Sequence, residues 1–140
     1  MKGIPFGIDD FKELRENDGY FVDKTALIED IATDKTTKVF LFTRPRRFGK
    51  SLNMSMIDAF FNLDYAGKSS QWFEGLRIYD NKELMAIANQ DPVIFLNMKN
   101  LIVNDHDSFR KRMAEIVRNL YDEYPYLVES DRLNEKKRSL

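Results

Sequence analysis

A run of basic residues just before the middle of the chain has the composition of an anion-binding turn. It comprises Thr43-Arg-Pro-Arg-Arg-Phe-Gly-Lys-Ser51, so that Lys50 and Ser51 directly follow Gly49. A glycine turn at the start of a helix presents backbone N–H groups to phosphate, a lysine reaches the β- and γ-phosphates, and a hydroxyl can hold Mg²⁺. This order of residue types predicts binding of ATP or another nucleoside triphosphate with Mg²⁺, with Ser51 as a metal ligand.

The match to the general phosphate-binding loop G-x-x-x-x-G-K-[ST] is incomplete, because Arg44 stands where the first glycine belongs. The plain alternative is a basic surface turn before a core helix. Against it, three arginines beside Lys50 crowd the positive end of a helix dipole unless an anion is bound. The candidate ligand contacts are Arg44, Arg46, Arg47, Phe48, Gly49, Lys50, Ser51 and Leu52.

A second alternative is a non-enzymatic module that binds nucleic acid or another anion through the same arginines. Its affinity for DNA would fall steeply with salt and would not respond to ATP. A nucleotide-binding module would instead be protected against heat by nucleotide in the presence of Mg²⁺. The sequence leaves both classes of function open.

The residues around the turn predict a strand, the turn itself and a helix, in that order. Residues 38–43 are β-branched and aromatic with continuous hydrophobicity, which is typical of a strand covered on both faces. Residues 50–62 have a broad apolar surface, which predicts a buried helix. Residues 93–97 predict a second buried strand. The expected fold class is α/β, with helices that flank a parallel sheet; the family resemblance described below implies that this is part of a P-loop NTPase fold.

Other segments have helix signals. Asp9 or Asp10 can cap a short helix that Gly19 ends, and Asp23 can cap a second helix that runs to about Ala32. A third, longer helix is expected after Asp107. Its apolar residues recur at spacings of three and four and form one stripe: Phe109, Met113, Ile116, Val117, Leu120, Tyr121 and Tyr124.

The segment between the predicted strands is harder to interpret. Residues 64–81 predict irregular structure, and residues 82–89 suit a short helix that Asp91-Pro92 ends. An apolar anchor is expected in the irregular part from Trp72, Phe73 and Leu76.

Composition narrows the class of protein. The 140 residues are 43% hydrophobic, enough to bury a core in a single domain. The 22 Lys+Arg and 23 Asp+Glu leave a net charge of -1, so the whole molecule has no field that attracts nucleic acid or an anionic membrane.

Without cysteine and with one histidine, disulfides are excluded and a zinc site is not expected. The apolar runs are far shorter than the roughly 20 residues of a membrane span, and without a secretory signal we expect a cytoplasmic protein.

Residues Phe42-Thr-Arg-Pro-Arg-Arg-Phe-Gly-Lys-Ser-Leu-Asn-Met-Ser-Met56 closely resemble the P-loop of the bacterial AAA-ATPase-like family, in which arginine usually replaces the first glycine. Similar signatures are Ile4-Pro-Phe-Gly-Ile8, Asp10-Phe-Lys-Glu-Leu14, Tyr20-Phe-Val-Asp-Lys-Thr25 and Pro92-Val-Ile-Phe-Leu-Asn-Met98. The resemblance implies ATP binding on a P-loop NTPase fold. It also implies a longer protein with a PD-(D/E)XK nuclease-like domain, through which nucleic acid would be a partner.

Members of that family continue into a strand that ends in Asp-Glu, the Walker B element. No apolar run followed by paired acids occurs after residue 107. We therefore expect residues 1–140 to be the N-terminal portion of an AAA-ATPase-like domain that binds ATP without efficient hydrolysis. An uncovered sheet edge and helix face would then favour a homo-oligomer.

A few residues outside the turn are weaker candidates. Related ATPases often place base-covering residues before the P-loop strand, so adenine contact and plain packing both stay open for Tyr20, Phe21, Asp23 and Lys24. His106 lies in a polar segment, which predicts that it is a surface residue. Asp105 and Asp107 have the spacing of a metal-binding pair, but a helix cap is the commoner use of such residues.

Overall fold

The computed structural model describes residues 3, 7–43, 45, 48–96, 98, 101, 103 and 105–125. The chain divides into two compact units, Met1–Val93 and Ile94–Leu140. The described part is helical. Its α-helices are α1 (Phe11–Glu16), α2 (Ala26–Thr33), α3 (Lys50–Phe61), α4 (Ser70–Phe73), α5 (Lys82–Ala86) and α6 (His106–Glu123), with 3₁₀ turns at Leu63–Tyr65 and Arg77–Asp80. None of the helices described is long and apolar enough to cross a membrane.

Helix α1 forms where the sequence predicts it. Asp10 is the N-cap, and its side chain accepts a hydrogen bond from the N–H of Glu13. Phe11 and Leu14 are fully buried. Gly19 donates its N–H to the Leu14 carbonyl at 2.9 Å, which closes the C-terminal turn of the helix. The short helix is thus defined at both ends by local hydrogen bonds.

Helix α2 begins later than the predicted cap. Its N-cap is Thr25 rather than Asp23. One oxygen of Asp23 accepts from the N–H and hydroxyl of Thr25, at 2.8 and 2.7 Å. The other accepts from the N–H of Arg77 at 2.7 Å. Asp23 therefore joins the entry of α2 to the 3₁₀ turn at Arg77–Asp80, a contact that local sequence cannot indicate.

The core of the first unit forms around α3. Met56, Ala59 and Phe60 are fully buried on its inner face. The ring of Phe73 packs between two others, 5.1 Å from Phe11 and 5.5 Å from Phe60 between ring centroids. The expected apolar anchor is confirmed, since all three of its members are buried: Trp72, Phe73 and Leu76. Its surroundings differ from the prediction, because residues 64–81 form two 3₁₀ turns and α4 rather than wholly irregular structure.

A buried asparagine satisfies the C-terminal end of α3. The Asn89 side-chain amide donates to the carbonyls of Ala59 and Asn62 at 3.1 and 2.7 Å. The backbone N–H of Asn89 donates to the Phe60 carbonyl at 2.8 Å. Ser69 donates its hydroxyl to the Asn89 side-chain oxygen. The last carbonyls of a helix have no partner within it. Asn89 supplies partners for the Ala59 and Phe60 carbonyls, and the Asp91 N–H supplies one for Phe61 at 3.2 Å. These bonds fix the segment after α5 against the core.

The predicted parallel sheet is wrong for the residues that the structure describes. Residues 38–43 and 93–96 contain no strand. Elsewhere in the described residues an isolated β-bridge joins Asn62 and Asp91. Val39 and Leu41 are 81% and 85% exposed, so the run is not covered on both faces. Apolar, β-branched residues favour a strand only if a second segment pairs with their backbone. No described segment does so, and Asn97 of the second predicted strand lies outside the described residues.

Helix α6, in the second unit, confirms the predicted amphipathic helix but not its start. The N-cap is Asp105, two residues before the predicted Asp107, and it accepts the N–H of Ser108 at 2.7 Å. No residue of α6 itself is buried, although Tyr124 at its C-terminal end is 4% exposed. The apolar stripe is therefore present as a pattern and largely open to solvent.

Candidate anion-binding site

The N-terminal end of α3 has a backbone conformation suited to glycine. Gly49 is the N-cap with φ 72° and ψ 27°, in the left-handed region that side chains disfavour. Lys50 is the first helical residue, and both it and Ser51 are exposed, as is Phe48, while Leu52 is half-buried. Gly49 has no side chain to cap the helix, and the N-terminal end of a helix is suited to an anion.

A cleft of about 380 Å³ lies beside this helix end. Its walls come from the start of α2, the first turns of α3 and the segment between them. The charged and polar lining residues are Lys24, Asp30, Lys50 and Asn53, and the apolar ones are Ala26, Leu27, Phe42 and Met54. The cleft thus combines two ammonium groups and one carboxylate with an apolar wall.

Lys24 reaches the same helix end as Lys50, although the two residues are far apart in sequence. A Cβ atom built on Gly49 would lie 3.7 Å from the Lys24 ammonium nitrogen. Among the other residues that the sequence offers for base contact, Tyr20 is exposed. The Phe21 ring packs edge-on against Phe11 at 5.2 Å. The structure therefore separates Lys24, which lines the cleft, from Phe21, which packs against the core.

Asn53 contributes a polar atom that lacks a partner within the described structure. Its side-chain oxygen is buried and accepts no hydrogen bond there. Buried polar atoms are normally satisfied, so an unpaired amide in a cleft wall is a place where water or a ligand can bind. Asn53 and Met54 follow Lys50 by three and four residues, a spacing that puts side chains on one helix face. That spacing was a sequence signal for them. Nothing comparable pointed to Asp30.

The three arginines of the turn, Arg44, Arg46 and Arg47, lie outside the described residues. His106 is exposed, with its ring nitrogen 3.9 Å from the Asp107 carboxylate. Hydrogen bonds from the side chain and N–H of Ser108 hold the pKa of Asp105 below its ordinary value, as expected for a helix cap. The described residues contain no group of three His, Cys, Asp or Glu placed to hold a metal ion.

Comparison with known proteins finds one matching family model and one relative. A family model described as Predicted AAA-ATPase matches residues 5–140. A protein from Azotobacter chroococcum mcd 1, named "Uncharacterized protein in vnfD 5'region", is 32% identical over 117 residues, which are 83% of this chain and 21% of that protein. The chain therefore spans about a fifth of that relative's length. No solved structure matches it.

The family match covers almost the whole chain, including the turn, α3 and the cleft residues on α2. Its description is consistent with nucleotide binding in general. On the extent of this match, the chain belongs to the AAA-ATPase-like family.

Proposed function

We propose that this chain binds a nucleoside triphosphate, most simply ATP, together with Mg²⁺, at the N-terminal end of α3. The observation that carries the proposal is the position of Lys50, which opens α3 after a left-handed glycine and also lines the cleft. In this arrangement the Lys50 ammonium binds the β- and γ-phosphates, and backbone N–H groups of the first turn donate to phosphate oxygens. The positive end of the helix dipole adds to the attraction.

The chemistry of the cleft fits a nucleotide better than a simple anion. A nucleotide has a polyanionic end and a flat, largely apolar base. The cleft has Lys24 and Lys50 for the first and Leu27, Phe42 and Met54 for the second. Its volume of about 380 Å³ lies in the ordinary range of small-molecule pockets. A free phosphate would leave the apolar wall without a function.

The Mg²⁺ ion also suits the residues present. Magnesium takes most of its oxygen ligands from phosphates and water when it accompanies a nucleotide. The protein then needs to supply little more than one hydroxyl, the role we assign to Ser51. When bound, the ion would neutralise phosphate charge. We propose binding alone, because fast hydrolysis also needs a residue that orients the attacking water.

Arg44, Arg46 and Arg47 are proposed as further phosphate contacts on the grounds of sequence. Their guanidinium groups are suited to phosphate oxygens in two-point hydrogen bonds. Phe48, Gly49 and Leu52 complete the proposed contact set through their backbone.

The test is the substitution Lys50→Ala, measured by isothermal titration with ATP in the presence and absence of Mg²⁺. We expect affinity to fall by at least about tenfold, since a charge-assisted hydrogen bond to phosphate is lost. Lys35→Ala, which removes an exposed lysine just after α2, is the matched control and should leave affinity unchanged. Ser51→Ala should reduce the gain in affinity that Mg²⁺ gives.

Two results would contradict this function. Equal ATP affinity in the wild type and in Lys50→Ala would rule out the lysine as a phosphate ligand. Salt-dependent binding to DNA that ATP does not displace would instead favour a nucleic-acid-binding module.

A further inference from the structure

The segment 23–25 holds Lys24 in a fixed place. Thr25 is 1% exposed, and its hydroxyl accepts the N–H of Ile78 at 3.3 Å while donating to Asp23. Asp23 in turn accepts the N–H of Arg77. Asp23 and Thr25, on either side of Lys24, therefore form one hydrogen-bonded unit with Arg77 and Ile78. The lysine side chain projects from a backbone that the core has already positioned.

The Lys24 ammonium makes no ion pair within the part of the chain that the structure describes. Among the described residues no carboxylate lies within ion-pairing distance of it. The adjacent Asp23 carboxylate is occupied by Thr25 and Arg77. Lys24 is exposed as well, so it adds little to packing. Its position is not explained by a contribution to stability.

The place that Lys24 occupies is electrostatically unfavourable without a ligand. Its ammonium nitrogen would lie 3.7 Å from a Cβ on Gly49, at the positive end of the α3 dipole. Lys50 lines the same cleft, and Asp30 is the single acidic residue among the lining residues described. An ammonium group at that end of a helix dipole is unfavourable, and a bound anion offsets this cost.

We propose that Lys24 is a second phosphate-binding residue, which contacts a different phosphate of the nucleotide from Lys50. This inference rests on the proposed nucleotide function and deepens it. Lys24 lies before α2 and Lys50 lies on α3, so each can contact a different phosphate of the same polyphosphate group. A single phosphate can engage both less well, and a nucleoside engages neither. Lys24 thus contacts the phosphates rather than the base.

The experiment measures the affinities of the 140-residue chain for ATP, ADP, AMP and adenosine, for wild type and for Lys24→Gln. The variant should bind ATP and ADP about tenfold more weakly, because one charge-assisted contact is lost, and should bind AMP and adenosine nearly as well as wild type. Lys24→Arg keeps the charge and should retain most of the ATP affinity. Lys35→Gln is the matched control and should resemble wild type for all four ligands.

The outcomes separate the two proposals. If the wild-type chain binds none of the nucleotides, the nucleotide function itself fails. If Lys50→Ala loses ATP while Lys24→Gln keeps it, the nucleotide function stands and the role of Lys24 is wrong. Equal weakening of ATP, AMP and adenosine by Lys24→Gln would assign Lys24 to the base and overturn the proposal. A lowered melting temperature of Lys24→Gln that Lys24→Arg does not restore would show a structural role instead.

Discussion

Helices α3 and α6 are the two longest helices described, and they differ in how far their apolar residues are buried. Residues 55, 56 and 58–60 of α3 are buried. In α6 no residue is buried, even though its apolar stripe is the more regular pattern in the sequence. A period of three to four residues therefore predicts that a helix forms, but it does not predict what covers the apolar face.

The difference has a physical cause in the contacts around each helix. The inner face of α3 meets aromatic rings from other elements, such as Phe11 and Phe73, and its last carbonyls are satisfied by Asn89. For α6 the described contacts at its ends are local: the Asp105 cap and the Tyr124 N–H, which donates to the Leu120 carbonyl. Most helical stability in proteins comes from packing an apolar face, which α3 does against these rings.

Truncating a core aromatic should give the largest effect and sharpen this comparison. Phe60→Ala removes a fully buried ring of α3 that contacts Phe61 and Phe73. We expect a loss of about 3–5 kcal/mol in the free energy of unfolding, from lost burial and the cavity left behind. Phe109→Ala removes a ring of α6 that is 41% exposed. Its cost should be about 1 kcal/mol or less. Urea unfolding followed by circular dichroism measures both.

Equal losses for these two variants would break the comparison. They would mean that the stripe on α6 is covered in solution, either by a second copy of the chain or by another segment. Sedimentation velocity at several protein concentrations identifies the first case, because self-association depends on concentration.

Removing a helix cap in each unit should give an intermediate effect. Asp10 caps α1 and also accepts the hydroxyl of Ser55 on α3 at 3.1 Å, so it links two helices. Asp10→Ala should cost about 1–2 kcal/mol, which the shift in the urea midpoint reports. Asp105 caps α6 alone. Asp105→Ala should reduce helical signal while leaving the cooperative transition nearly in place. A larger midpoint shift for Asp105→Ala than for Asp10→Ala would show that α6 supports the whole fold.

The smallest expected effect is a pH dependence from Asp23. Its partial burial acts to raise the pKa, but hydrogen bonds from the Arg77 N–H and from Thr25 outweigh this and leave the pKa below its ordinary value of 3.8. A carboxylate whose pKa is lower in the folded state stabilises the protein above its unfolded pKa. That contribution is lost as the pH falls through the folded pKa.

Thermal melts from pH 7 down to pH 3 should show this loss beginning at about pH 4. Asp23→Asn should be slightly less stable than wild type at pH 7, by no more than about 1 kcal/mol for so exposed a group. The difference should shrink on acidification. Asp30→Asn, at an exposed carboxylate of α2, is the control. A difference between wild type and Asp23→Asn that stays constant with pH would mean that the carboxylate charge is not what stabilises this contact.

Features encoded within a few neighbouring residues could be predicted from the sequence. Helices α1, α3 and α6, the Asp10 cap and the order Gly49-Lys50-Ser51 at the start of α3 all depend on hydrogen bonds or backbone conformations that span at most one or two helical turns. The candidate ligand contacts at that turn stay a prediction, and its three arginines lie outside the described residues.

Tertiary structure alone decided the features that join distant parts of the chain. A strand requires a pairing partner elsewhere, so residues 38–43 look like a strand in sequence and form none in the described structure. Asp23 looks like a cap, yet its second oxygen binds Arg77. Lys24 is one of several candidates for base contact in sequence, and in the structure its ammonium lies beside the N-terminal end of α3. The sequence determined which helices form and which turn has phosphate-binding residues, because those interactions are local. The packing of α2 against the 3₁₀ turn at Arg77–Asp80 decided that Lys24 is the second cation beside Gly49 and Lys50.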